Sequence, residues 1–287
     1  MTALILSVIV AVPLLGDAQR GEAAAMMAGR VHASYHPSNG KIFVLVIGTD
    51  ARSGNPTNAR ADAIHIVGVN ARTLRAGILN FPRDSWVTIP GHGSGKINEA
   101  LVAGGPQLLA RTLENLTGIR LHYWIMTGFE GFQRIVGRLE GVKLQLRQDI
   151  FDPGGSGANL RAGQRRLGGV DALAFVRTRK SFAGGDVTRT TNQGRFLIAM
   201  LRKLRAEVAR DPAALLQWSA VGRDATRLSL SADETFRLGV LASEIRPDRV
   251  SNVTVPVSVG SVGGASVVFI SPGAQSLYRR FERKAAL

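Results

Sequence analysis

Hydrophobic positions along this chain switch repeatedly between period 2 and period 3.6. Lys41–Gly48 (KIFVLVIG) is an apolar, β-rich run closed by glycine, which predicts a buried strand. Ala63–Asn70 and Leu74–Phe81 read as two more strands, joined by a short turn around Ala71–Thr73 and ended by Pro82. Gly104-Gly105-Pro106 opens a helix with Leu109, Leu113 and Leu116 on one face, and Gly118 closes it. His122–Thr127 predicts a short strand, and Phe129, Phe132, Ile135, Val136 and Leu139 keep helical spacing up to Gly141. Val142, Leu144 and Leu146 alternate with Lys143, Gln145 and Arg147, the pattern of a half-exposed strand.

Further on the signals thin out. Phe151–Gly169 reads as a Gly-rich loop, and Val170–Arg177 as either helix or strand. Asn192–Arg210 is an amphipathic helix through Phe196, Met200, Leu204 and Val208. Ser231 and Glu234 offer a capping box before Phe236–Ile245, Val250–Val257 reads as a strand, and Ser276–Ala286 as a last helix. Strands alternating with helices predict an α/β fold: one layered domain over residues 41–287, with a central mixed β-sheet flanked by helices. The apolar run Thr2–Gly16 is shorter than the roughly 20 residues of a membrane span and lacks a basic leader. It is expected to be the truncated outer part of an N-terminal anchor, with residues 17–40 as a linker.

Composition changes the picture in two ways. The 287 residues include no cysteine, which removes disulfides, thiolate metal sites and a cysteine nucleophile. The formal charge is +15, and only six of the 36 basic residues are lysine. A GC-rich coding sequence or an anionic partner would each produce that excess. Nucleic acid is not expected as the partner, because no basic helical stripe or aromatic cluster accompanies the arginines. His32 and His36 lack the intervening carboxylate of a zincin, and no Walker, GxSxG or dinucleotide fingerprint is present.

The candidate chemistry lies at strand ends. Asp50 follows the first strand, and Asp62 directly precedes the second. If the two strands pair antiparallel, both carboxylates meet at one sheet edge, as a hard divalent cation would require. A turn residue and a strand-start cap would look the same. Arg83 and Asp84 follow Pro82, as a phosphate contact or a surface ion pair. Arg177 and Arg179 would share one face in extended chain, and two like charges on one face repel unless an anion lies between them. Arg189 and Gln193 share a helix face, with Asp186 just before them. Gly154-Gly155-Ser156-Gly157 reads as a flexible loop beside the site.

Taken as a set and in order, IGTDAR, ARADA, FPRDS, KINEA, VRTR and DVTRTTNQ resemble the LytR-CpsA-Psr family from about Lys41 to Leu201. The resemblance implies a single-pass protein of the cell membrane, its catalytic domain on the extracytoplasmic side. There it would transfer a glycopolymer from a polyprenyl-diphosphate carrier to peptidoglycan, forming a phosphodiester. Carried across, Asp50 and Asp62 would hold Mg²⁺ (or Mn²⁺). Arg60, Arg83, Lys96, Arg177, Arg179, Arg189 and Gln193 would bind the diphosphate, with Lys96 and Asn98 shaping the pocket mouth. Arg83 and Asp186 would serve catalysis, Asp186 by activating the acceptor hydroxyl or by orienting an arginine. Asn192 stands where the family often has arginine. The lipid tail would need apolar walls, from Leu109 and Leu113 or from Phe129 and Phe132. A polyprenyl-diphosphate hydrolase or a non-catalytic lipid-diphosphate or wall-polymer binder would use the same residues.

Overall fold

The computed structural model describes residues 26–32, 39–51, 59–224, 226–228 and 232–287. The expected anchor at 1–16 lies outside these residues, as do His36 and Ser231. Among the described residues no helix is long and apolar enough to cross a membrane.

In chain order, the first strands are β1 (Met26–Arg30), β2 (Lys41–Thr49), β3 (Ala61–Asn70) and β4 (Arg75–Phe81). The hairpin β5 (Trp86–Ile89) and β6 (Gly93–Lys96) leads into α1 (Glu99–Thr117), followed by β7 (Tyr123–Thr127) and α2 (Phe129–Arg138). Four short strands come next: β8 (Val142–Leu146), β9 (Ile150–Asp152), β10 (Ala158–Leu160) and β11 (Gly163–Leu167). Then follow α3 (Gly169–Arg177), α4 (Gly185–Arg210), α5 (Ala214–Asp224), β12 (Thr226–Leu228) and α6 (Ala232–Glu244). The strand β13 (Val250–Thr254), the hairpin β14 (Val257–Val262) and β15 (Ala265–Ile270), and α7 (Ala274–Lys284) complete the chain.

Seven of the described strands form one mixed sheet in the order β12-β1-β7-β2-β3-β4-β13. The pairs β2–β3 and β3–β4 are antiparallel, whereas β2–β7 and β4–β13 are parallel. The sheet and its flanking helices match the expected architecture. Three expectations are corrected. Residues 26–30 lie within the stretch read as linker, yet form β1, hydrogen-bonded to both β7 and β12. Their sequence (MMAGR) has neither β-branched nor aromatic residues and so carries no strand signal of its own, and the pairing is supplied by distant partners. The Gly-rich stretch 151–169 is not a plain loop, because it contributes β10, β11 and part of β9. Helix α1 starts at Glu99 rather than at the glycine pair. Gly104 and Gly105 (φ 67°) break it into two pieces before Pro106 restarts it, and Gly118 (φ 72°) ends it in the left-handed region.

The sheet's two faces are covered differently. On one face Phe43, Leu45, Ile47, Ile64, Ile66, Leu79 and Phe81 pack against Leu109 and Leu113 of α1 and Tyr278 and Phe281 of α7 in one closed core. On the other face α2, α3 and α4 form their own core with β8–β11, through Val136, Val142, Leu144, Phe175 and Phe196. The alternation along β2 registers the difference: Phe43, Leu45 and Ile47 are buried, while Val44 and Val46 are only half-buried.

Helix α7 seats over β3 and β4 because glycine there leaves room. A Cβ built on Gly77 would lie 2.7 Å from Phe281 Cε2 and 2.9 Å from Ser251 Oγ. Gly77→Ala is therefore expected to destabilise the fold by about 1–3 kcal/mol, read as a lower urea midpoint with unchanged m-value. A stability equal to the parent's would refute the close seating of α7.

Candidate functional site

The site begins where β2 and β3 pair. Ile47 lies opposite Ile64, Gly48 opposite Ala63 and Thr49 opposite Ala61, with a register shift at Gly48/Thr49. Beyond it the Asp50 N–H donates to Arg60 O (3.3 Å), and the Arg60 N–H donates to Asp50 Oδ1 (3.0 Å). The antiparallel pairing expected from sequence thus brings Asp50 and Asp62 to one cavity. Asp62 is the second residue of β3 rather than its cap.

Other elements deliver cations to the same place. Arg83, just past β4, forms a short ion pair with Asp62 Oδ1. Arg177 ends α3 and lays its guanidinium over the Phe129 ring at 4.5 Å, a cation–π contact. The expectation that Arg177 and Arg179 share a face of an extended segment is corrected, since Arg177 is helical and Thr178 extended. Both nevertheless line the polar cavity, with Lys180 and Arg189. Five cationic side chains therefore surround this cavity against three carboxylates, Asp50, Asp62 and Asp152.

Some candidate residues are not brought to the cavity wall. The Arg60 side chain is exposed, and its part is the backbone link to Asp50. Lys96 pairs with Asp84 at 3.1 Å. Asn98 is buried and its N–H donates to Arg83 O (3.3 Å). Asp186 stands behind the wall, 2.7 Å from Arg189 Nη2 and 4.0 Å from Arg83 Nε. Asn192 is buried, its Oδ1 accepting from Arg195 Nη1 at 2.8 Å. Sequence reasoning missed Asp152, Ser156 and Lys180. The Ser156 N–H donates to Asp152 Oδ2 (3.1 Å), and the Ser156 and Thr178 hydroxyls bond at 2.6 Å. The cue available was the glycine-rich turn itself, which lets a buried acid accept backbone N–H groups.

Behind the polar cavity lies an apolar one, in the gap between the sheet and α2, α3 and α4. Val46, Ala63, His65, Phe129, Phe132, Leu173, Val176, Phe196 and Leu197 line it. The two cavities share Asp62, Phe129, Arg177 and Arg189, so one opens onto the other. Of the two pairs of apolar residues considered as walls, Phe129 and Phe132 line it, while Leu109 and Leu113 belong to the closed core on the opposite face. Gln193 lines the apolar cavity, and its Nε2 donates to Val176 O (3.1 Å).

The charges at the junction are preorganised. Burial disfavours charge on Arg83, but Asp62, aided by Asp186 and Asp84, outweighs it and raises the guanidinium above its ordinary range. Arg189 is pushed down by burial, and Asp186 only partly offsets this. Among the residues that line the two cavities, the buried Arg83 Nε, Arg189 Nε, Gln193 Oε1 and Thr49 Oγ1 have no hydrogen-bond partner. Unsatisfied buried groups are costly, and their concentration at one junction suits a site completed by a polar ligand. Asp50 and Asp62 could hold a divalent cation. Among the described residues they do not belong to a group of three or more carboxylates or imidazoles able to do so alone. The remaining ligands would have to be substrate oxygens and water, the usual arrangement for Mg²⁺.

An apolar slot opening onto clustered guanidiniums and carboxylates has the chemistry to accommodate an amphiphile with an anionic head. The chain belongs to the LytR_cpsA_psr family, whose sequence model matches residues 16–279. It is 35% identical over 181 residues to the polyisoprenyl-teichoic acid–peptidoglycan teichoic acid transferase TagT of Bacillus subtilis, spanning 60% of this chain and 55% of TagT. It is 30% identical over 235 residues to the regulatory protein MsrR of Staphylococcus aureus, spanning 79% of this chain and 69% of MsrR. Its fold superposes on the structure of the LytR-CPS2A-psr family protein YwtF (TagT) with bound octaprenyl pyrophosphate lipid. The TM-score there is 0.67 at 22% identity, covering 93% of this chain and 97% of that one.

His65, 2% exposed in the apolar wall, gives the site a measurable signature. Burial lowers its pKa from 6.5 to about 4, against a hydrogen bond to Asn80 and with Arg189 adding to the decrease. Its folded pKa is below its unfolded one, so the unfolded chain protonates first as pH falls. Stability is undiminished above about 6.5 and declines down to about 4. At about 1.4 kcal/mol per unit this amounts to roughly 3 kcal/mol. His65→Gln should flatten that share of the acid limb in urea unfolding between pH 7 and pH 4. The share of His122, likewise lowered to about 4 by burial, should remain.

Proposed function

We propose that this protein is a phosphotransferase that moves a glycopolymer from a polyprenyl-diphosphate carrier to peptidoglycan on the outer face of the cytoplasmic membrane. The observation that carries the reading is the continuity of the two cavities, an apolar one opening onto a charged one through Asp62, Phe129, Arg177 and Arg189. The polyprenyl tail lies along Phe129, Phe132, Leu173 and Phe196, and the diphosphate rests among Arg83, Arg177, Arg179 and Arg189. The transferase name of one relative and the octaprenyl pyrophosphate of a structural neighbour support it. The chain spans 55% of TagT's length and 69% of MsrR's, and MsrR bears a regulatory name.

In the reaction the acceptor hydroxyl of peptidoglycan attacks the sugar-bearing phosphorus. The bond from that phosphorus to the bridging oxygen breaks, and polyprenyl phosphate leaves with the electron pair. The guanidiniums of Arg83, Arg177, Arg179 and Arg189 stabilise charge that spreads over the phosphoryl oxygens and the leaving group. A Mg²⁺ held by Asp50 and Asp62 would neutralise further charge on the diphosphate. Asp186 orients Arg83 and Arg189 rather than touching the acceptor, because it stands behind the cavity wall. The proton of the attacking hydroxyl passes to a carboxylate of the cavity or to solvent. Its removal contributes little where the transition state is loose.

Native mass spectrometry of protein extracted from membranes should detect a bound polyprenyl phosphate or diphosphate. Arg83→Ala and Arg189→Ala should each lower turnover by about 100-fold or more. Phe132→Trp should instead weaken binding of long-chain carriers more than short ones. Undiminished turnover in both arginine variants would overturn the reading. Equal rates of lipid-phosphate release with and without acceptor would replace the transferase with a hydrolase.

A further inference from the structure

Helix α4 carries Asp186, Arg189 and Gln193, and a chain of two amides, Asn80 buried and Asn252 half-buried, ties it to the sheet beneath. Asn252 Nδ2 of β13 donates to Thr191 O of α4 (3.0 Å). Asn80 Nδ2 of β4 donates to Asn252 Oδ1 (2.8 Å), and Asn80 Oδ1 meets His65 Nδ1 of β3 at 2.8 Å. The helix sits so close that a Cβ on Gly194 would lie 2.0 Å from Asn252 Oδ1 and 2.9 Å from Asn80 Oδ1. A second tie joins the Thr191 and Thr254 hydroxyls at 2.7 Å.

This chain has a direction. A backbone carbonyl can only accept, so Asn252 must turn its amide nitrogen toward Thr191 and its oxygen toward Asn80. Asn80 must then donate to Asn252 and present its own oxygen to His65. The imidazole therefore carries its proton on Nδ1. In the neutral ring Nε2 keeps a lone pair, in a side chain that lines the apolar cavity together with Arg189. The carbonyl of one helical residue thus sets a histidine tautomer three hydrogen bonds away.

We propose that Asn80 and Asn252 are positioning residues that seat α4 on the sheet and fix the His65 tautomer, so that Arg189 and Gln193 are held at the junction of the two cavities. The proposal rests on the diphosphate reading above and adds a device that no residue touching the ligand supplies. Alignment of a charged group in such a site has to be held to a fraction of an ångström to be useful.

The test uses the ¹⁵N spectrum of the His65 ring, farnesyl diphosphate as the binding probe, and thermal unfolding as the control. In the parent protein the ring should show a protonated Nδ1 and an unprotonated Nε2. Asn252→Asp can still accept from Asn80 but cannot donate to Thr191. It should keep the tautomer while weakening farnesyl diphosphate binding about tenfold or more. Asn252→Leu should do both, weakening binding and releasing the ring into mixed tautomers. A parent ring protonated on Nε2 would overturn the proposal. So would variants that melt earlier yet bind within about twofold of the parent, which would mark the amides as structural only. A parent that failed to bind farnesyl diphosphate would sink the carrier reading, and the ring spectrum, taken without ligand, would still decide the relay.

Discussion

The structure depends on a difference between the two faces of one sheet. On the α1 and α7 side the packing is closed, with Leu45, Ile64, Ile66, Leu79, Tyr278 and Phe281 fully buried. On the other side α2, α3 and α4 satisfy most of their apolar surface among themselves and with β8–β11. That independent core lets them stand off the sheet without collapsing onto it. Interiors ordinarily close such gaps, because an unfilled cavity forfeits dispersion contacts on both walls. Here Val46, Phe129, Phe132 and Phe196 keep it open, in a protein whose closed face and second core supply the stability.

At the mouth of the gap the charges are arranged by strand ends and helix ends rather than by one loop. Asp50 and Asp62 come from neighbouring antiparallel strands, Arg83 from the exit of β4, Arg177 from the last turn of α3 and Arg189 from the first turns of α4. Each is anchored by backbone geometry, so little reorganisation is needed to meet an anion. The Arg83–Asp62 and Arg189–Asp186 pairs let these like charges stand near one another.

Much of this was legible in the sequence. The strands β2, β3 and β4 carry their own apolar pattern, and the antiparallel return from β2 to β3 is enough to bring Asp50 and Asp62 together. What was not legible depends on long-range contact. The strand β1 has no intrinsic signal. In the β14–β15 hairpin (VSVGSV, ASVVFI) the only buried residues are the adjacent Val267 and Val268, so no alternating buried face shows. Ser156 hid in a glycine-rich stretch because its hydroxyl partner, Thr178, is 22 positions away, and Asp152 because its carboxylate is placed by the turn that carries Ser156. Choosing between Leu109 with Leu113 and Phe129 with Phe132 as cavity walls needed the sheet itself, since helical spacing says only that a stripe is covered and never by what.

The direction of β1 has an orienting consequence. It runs antiparallel to β7, with Met26 opposite Thr127, and Thr127 is also the partner of Gly48. Gly48 and Thr127 both border the apolar cavity, so β1 enters the sheet beside that cavity. Whatever fills the cavity would therefore lie against the β2–β7 pairing on which β1 is laid.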